Sequence, residues 1–140
     1  MATYFISDLH LEKIESSIST IFSEFLERLD EDDQLYILGD LFESWIGDDN
    51  VSELSAFVVN QLKLLSKKGI QVSIMHGNRD FLIGNDFCDA ASIQLINDPC
   101  IIDINDEKAM LTHGDQLCTD DHEYQAFRSV VRNPIWQKDF

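Results

Sequence analysis

Apolar and polar positions along the chain change period several times, and each change marks an element. Tyr4, Phe5 and Ile6 form a short apolar run that breaks off at Asp8 and His10, which predicts a buried first strand with a polar end. Ile14, Ile18, Ile21, Phe22, Phe25, Leu26 and Leu29 then recur three or four apart, which places them on one helical face. QLYILGD is a second run of strand length, closed by Gly39. Over residues 51–69 the helical period returns, with Leu54, Phe57, Val58, Leu62 and Leu65 on one stripe. Ser52 is its candidate N-cap, Lys67 and Lys68 lie in its last turn, and Gly69 is its stop. IQVSIMHGN supplies a third strand and a turn. This alternation is that of βαβ units, so the fold class is α/β and the start is a parallel sheet with right-handed crossovers.

Beyond residue 80 the pattern shortens. FLIGNDFCDAA predicts a partial helix. QLIND, CIIDIN and KAMLTHGD predict strands, the last two joined by Asn105 and Asp106 as antiparallel neighbours. Tyr124, Phe127, Val130 and Val131 predict a closing helix that ends before Pro134. No repeat, low-complexity stretch or linker interrupts the chain, so residues 1–140 read as part of one domain.

Charge narrows the choice of partners. With 26 acidic against 10 basic residues, the net charge is −16, which disfavours nucleic acid and anionic membrane surfaces and favours divalent cations. Cys88, Cys100 and Cys118 are odd in number and form no C-x-x-C pair, which fits a reducing, cytoplasmic setting rather than a disulfide scaffold. No apolar run approaches the ~20 residues of a membrane span.

Four predicted strand ends carry polar residues beside glycine or at a break: D-L-H at 8–10, G-D at 39–40, G-N-R-D at 77–80 and H-G-D at 113–115. Carboxyl ends of parallel strands open onto one edge, so Asp8, His10, Asp40, Asn78 and His113 are expected to gather there. Asp8 and His10, two apart on an extended segment, would face the same way. A donor set of oxygen and imidazole nitrogen without thiolate suits Mn²⁺, Fe or Zn²⁺. Gly39, Gly77 and Gly114 are expected where the backbone turns off the sheet and passes close to a metal or a phosphate.

The ordered series SDLHL, LGDLFE, HGNRD and LTHGD resembles the calcineurin-like metallophosphoesterases. GDLFESWIGDD, GNRDFLIG and HGDQLCTDDHEYQAFRSVVRNP are similar to the branch of that superfamily that acts on the nucleotide lipid UDP-2,3-diacylglucosamine in lipid A biosynthesis. Arg79 after Asn78, where many members have a histidine, belongs to that branch. The resemblance implies a metallophosphoesterase sandwich and two divalent ions, with Mn²⁺ the foremost choice. In it Asp8 and His10 hold one ion, Asp40 bridges, and Asn78 and His113 hold the other. It further implies that Asn78, Arg79 and Asp121 contact substrate, with Arg79 assisting catalysis at the pyrophosphate. The family pattern continues for about another hundred residues, including a lid and a Gly-His-x-His segment. The chain is therefore expected to be the N-terminal portion of a single metallophosphoesterase domain, with the fold and each ion's ligand set incomplete. A cytoplasmic monomer, peripheral to the inner membrane through the later part of the protein, is the implied setting.

Two readings compete with the nucleotide-lipid one: a generic metallophosphoesterase, against which Arg79 and CTDD speak, and an inactive metal-binding remnant. Other residues have plainer explanations. His122 is expected on the surface, His76 beside a turn, Phe42 and Trp45 packed on the core, Asp30 to Asp33 in a solvated loop, and Cys118 structural. Asp48 and Asp49 are open between a structural role and a functional one.

Overall fold

The computed structural model describes residues 1–114. A parallel sheet holds β1 (Thr3–Ile6), β2 (Gln34–Ile37), β3 (Gln71–Ile74) and β4 (Gln94–Leu95) in the spatial order β1-β2-β3-β4. Helices α1 (Ser17–Glu27), α2 (Glu53–Lys67) and α3 (Asn85–Ala91) make the crossovers. A separate antiparallel pair, β5 (Cys100–Ile104) and β6 (Glu107–Leu111), follows. The βαβαβ start and the antiparallel continuation are as the periodicity predicts. The expected closing helix, together with Cys118, Asp121 and His122, lies outside the described residues.

The central strands β2 and β3 place Leu35, Ile37, Val72 and Ile74 in the core, where each is 4% exposed or less. β1 departs from expectation. Among the described residues it is an edge strand, and Phe5 is 42% exposed, stacked on Tyr36 with ring centroids 5.5 Å apart. A run of three apolar residues says nothing about whether a neighbouring strand exists on both sides. The stripe on α1 is also narrower than the spacing predicts: Phe22, Leu26 and nearby Leu29 are buried, whereas Ile21 is 58% exposed. α2 begins with a reciprocal cap, in which the Ser52 hydroxyl accepts from the Ser55 N–H and the Ser55 hydroxyl accepts from the Ser52 N–H.

Three acidic residues prove to be fasteners of the fold or the site, and two of them lie outside the site. Asp33, expected in a solvated loop, is buried and accepts the N–H groups of Ala2 and Asp30, both at 2.8 Å. Asp48 accepts from Trp45 Nε1 and from the N–H groups of Gly84 and Phe87 at 3.0 Å, so it caps α3 from a distant loop. Asp49 is exposed. The third, Asp80, belongs to the site. Phe42 and Trp45 stack at 4.6 Å and both meet Phe87, which is the expected packing role. His76 sits beside its turn with Nε2 2.5 Å from the Ile83 carbonyl. Burial, aided by the charges of Asp48 and Asp89, pushes the Cys88 thiol up to about 12, which makes it an inert core residue.

Candidate metal centre

The loops at the carboxyl edge of the sheet continue its ladder without strand geometry. Asp8 N–H donates to the Gly39 carbonyl at 3.1 Å, His10 N–H to Asp40 at 3.0 Å, Leu11 N–H to Leu41 at 2.9 Å, and Glu43 N–H to Leu11 at 3.0 Å. Asp8, His10 and Asp40 all adopt left-handed backbone, with φ of 56°, 50° and 53°. Such residues cost roughly 1–2 kcal/mol each and persist where surrounding bonds hold them. The common direction of Asp8 and His10 thus has a different origin from the one the extended-segment argument supplies. Two left-handed residues flank Leu9, whose side chain packs against the core.

Asp8, His10, Asp40 and His113 come together through their side chains. His10 Nε2 lies 3.6 Å from Asp8 Oδ1 and 3.8 Å from Asp40 Oδ2, and one donor atom from each of the three falls within 4.8 Å of the others. His113 Nε2 is 3.3 Å from Asp40 Oδ2, while its Nδ1 is 2.7 Å from the Leu38 carbonyl. That carbonyl can only accept, so Nδ1 carries a proton, and Nε2 is the nitrogen turned toward Asp40. His113 arrives from the turn after β6, so only three of the four strand ends belong to the parallel sheet. Asn78 has an exposed side chain, yet its backbone runs between Gly77 and Arg79, which both abut Asp40. Arg79 donates its N–H to Asp40 Oδ1 at 2.8 Å and extends a guanidinium that is 58% exposed. Asp121 lies outside the described residues.

The glycines divide in their reasons. A Cβ on Gly77 would stand 2.2 Å from Asp40 N and Oδ1, and one on Gly39 would stand 2.7 Å from His113 Nδ1, so both are required by close approach within the protein itself. Gly114 has open space around it and is favoured instead by its φ of +95°.

Sequence reasoning passed over two residues. Asp80 is completely buried and accepts from the N–H groups of Gly77, Asp40 and Leu41 at 2.9, 3.1 and 2.8 Å, with Phe42 at 3.4 Å. Burial, with the charge of Asp40 added, pushes its carboxyl above the ordinary range against those bonds. Glu43 meets both His10 and Arg79. The signal for Asp80 was its place in G-N-R-D, a turn whose aspartate could equally have faced water.

Carboxylate oxygens and imidazole nitrogens converging within ion-sized distances fit a hard or borderline divalent cation. The calcineurin-like phosphoesterase family model matches residues 1–139. The chain belongs to that family. Proteins named UDP-2,3-diacylglucosamine hydrolase from Chromohalobacter salexigens and Stenotrophomonas maltophilia are each 48% identical to it, over 98% and 100% of this chain and 56% and 57% of their own lengths. One from Cellvibrio japonicus is 49% identical over 98% of this chain and 58% of its own. The chain therefore spans little more than half the length of these curated relatives. A crystallised protein of unknown function from Aquifex aeolicus shares the fold, with a TM-score of 0.55 and 19% identity over 99% of this chain and 75% of that one. The family's α/β architecture with a further antiparallel pair is the one seen here, and among the described residues no helix is long and apolar enough to cross a membrane.

Proposed function

We propose that the chain carries the hydrolytic centre of a UDP-2,3-diacylglucosamine hydrolase, which splits the pyrophosphate into UMP and 2,3-diacylglucosamine 1-phosphate in lipid A biosynthesis. The observation that carries this reading is the convergence of Asp8, His10, Asp40 and His113 beside the exposed guanidinium of Arg79. The names and 48–49% identity of the curated relatives support the substrate. In this reading Asp8, His10, Asp40, Asn78 and His113 would hold two divalent ions, Asp8 and His10 serving one, Asn78 and His113 the other and Asp40 both, with Mn²⁺ as the metal. When bound, such ions would supply positive charge to polarise the attacked phosphate.

This chain's own residues do the rest. Arg79, fixed to Asp40 through its backbone N–H, offers a planar set of donors to the phosphate oxygens, and Asn78 and Asp121 add substrate contacts. Glycines at 39 and 77 let the carboxylate of Asp40 and the ring of His113 approach closely enough to share one ion. The two acyl chains of that substrate support a membrane-peripheral reaction, which this reading assigns to a monomer at the cytoplasmic face of the inner membrane.

Calorimetric titration of this chain with Mn²⁺, alongside Asp40→Asn, tests the centre: uptake by the wild type and loss of it in the variant are expected. In a protein spanning the relatives' full length, Arg79→Ala is expected to lower UMP release at least ~100-fold while the melting temperature stays near wild type. Activity that falls only in proportion to unfolding would remove Arg79 from the reaction.

A further inference from the structure

We propose that Glu43 is the positioning residue of this centre: its carboxylate fixes the proton on His10 Nδ1, turns Nε2 toward the cation, and ties that histidine to Arg79. The inference rests on the metal-centre reading above and deepens it. One carboxylate oxygen, Oε2, lies 3.0 Å from His10 Nδ1, and the other, Oε1, lies 3.5 Å from Arg79 Nη1. An ionised carboxylate can only accept, and of the carboxylates around the ring only that of Glu43 lies at hydrogen-bond distance, Asp8 and Asp40 being 3.6 and 3.8 Å from Nε2, so in the neutral ring Nδ1 bears the hydrogen. Nε2 is left with its lone pair aimed into the space between Asp8 Oδ1 and Asp40 Oδ2.

His113 achieves the same orientation with the Leu38 carbonyl, a neutral acceptor. Glu43 does it with a charged group, whose second oxygen reaches a cationic side chain at the same time. Backbone hydrogen bonds set the placement. Glu43 N–H donates to the Leu11 carbonyl and Leu11 N–H to that of Leu41, so the Glu43 backbone cannot drift from the His10 loop. Arg79 is then held at two points, by its backbone on Asp40 and by its side chain on Glu43. The second contact is long and half in water, so it orients the guanidinium yet yields to a phosphate.

Long-range proton–nitrogen NMR of the metal-free 140-residue chain at about pH 8.5, where an ordinary imidazole is neutral, reads the His10 tautomer directly. The wild type is expected to show hydrogen on Nδ1, and Glu43→Ala to shift the ring toward the other tautomer. Mn²⁺ titration of the same two chains is expected to show a Kd raised about 10–100-fold by Glu43→Ala. Glu43→Gln keeps an oxygen acceptor but no charge, so it should retain the tautomer and fall between the two in affinity; it also carries the test should the alanine variant fold poorly. A variant pair with unchanged His10 tautomer and Kd within twofold of wild type overturns the role of Glu43. A wild-type chain that takes up no Mn²⁺ overturns instead the metal-centre reading on which it stands.

Discussion

At each end of the parallel sheet a buried aspartate accepts backbone N–H groups, and the two carboxyls are pushed in opposite directions. At the amino end, Asp33 takes the N–H groups of Asp30 and Ala2, which hold its carboxyl below the ordinary value. At the carboxyl end, Asp80 takes more such bonds yet is pushed up, because it is wholly enclosed and stands beside Asp40. The chemistry of the bond is the same at both ends; desolvation and a neighbouring charge reverse the outcome. The amino end is a simple fastening. The carboxyl end gathers negative groups on left-handed backbone and holds them there with a buried anion, an arrangement that serves a cation better than it serves stability.

The largest effect expected from breaking this comparison is that of Asp80→Ala. Gly77, Asp40, Leu41 and Phe42 would lose a common acceptor inside the core, and leaving that many donors unpaired should cost about 3–5 kcal/mol in urea unfolding. Mn²⁺ affinity should fall with it, since Asp40 and the 77–79 backbone are positioned by those bonds. A cost below about 1 kcal/mol would mean that the site loops hold themselves.

How much of this could be read in advance follows from what one-dimensional pattern encodes. Alternating periods located β2, α2 and β3 because their faces bury against neighbours, and the polar residues after each strand located Asp8, His10, Asp40 and His113. The sign of φ at Asp8 and His10 was invisible, since no residue type there demands left-handed backbone. Also invisible were the roles of Asp33, Asp48 and Asp80. Each accepts N–H groups from residues as far as 31 to 40 positions away, and an aspartate in sequence looks the same whether it faces water or a ring of donors. Glu43 stands in LGDLFE beside the aspartate of the site, yet its partner His10 is set only when the two loops are side by side.

Asp48→Ala sharpens the comparison from a third position, with a smaller effect. Trp45 Nε1 and the N–H groups of Gly84 and Phe87 lose their acceptor, but the site is only partly buried and water can replace it. A loss of about 1–2 kcal/mol is expected, in line with removal of a helix cap, together with a change in Trp45 fluorescence. Mn²⁺ binding should be untouched, in contrast to Asp80→Ala. A matching loss of metal affinity would show that the cap and the centre are one cooperative unit.

The smallest effect, and the one that separates the two ends most cleanly, is the pH dependence of Asp33→Asn. The folded-state pKa of Asp33 lies below its ordinary value of 3.8, chiefly through the Asp30 N–H and then that of Ala2. A depressed carboxyl stabilises the fold wherever the unfolded chain would also be ionised, so its contribution is fully present above 3.8 and disappears as pH falls through the folded value. The wild type should therefore melt above Asp33→Asn by a constant margin at neutral pH, and the margin should close as the solution is acidified below the ordinary carboxylate range. Asp80 bends the wild-type curve the other way, since a raised carboxyl loses stability as pH rises; comparing the two proteins at each pH cancels that contribution, which both share. A margin that stays constant into strong acid, or widens, would show that Asp33 acts through shape rather than charge, and the contrast between the two ends of the sheet would reduce to their burial alone.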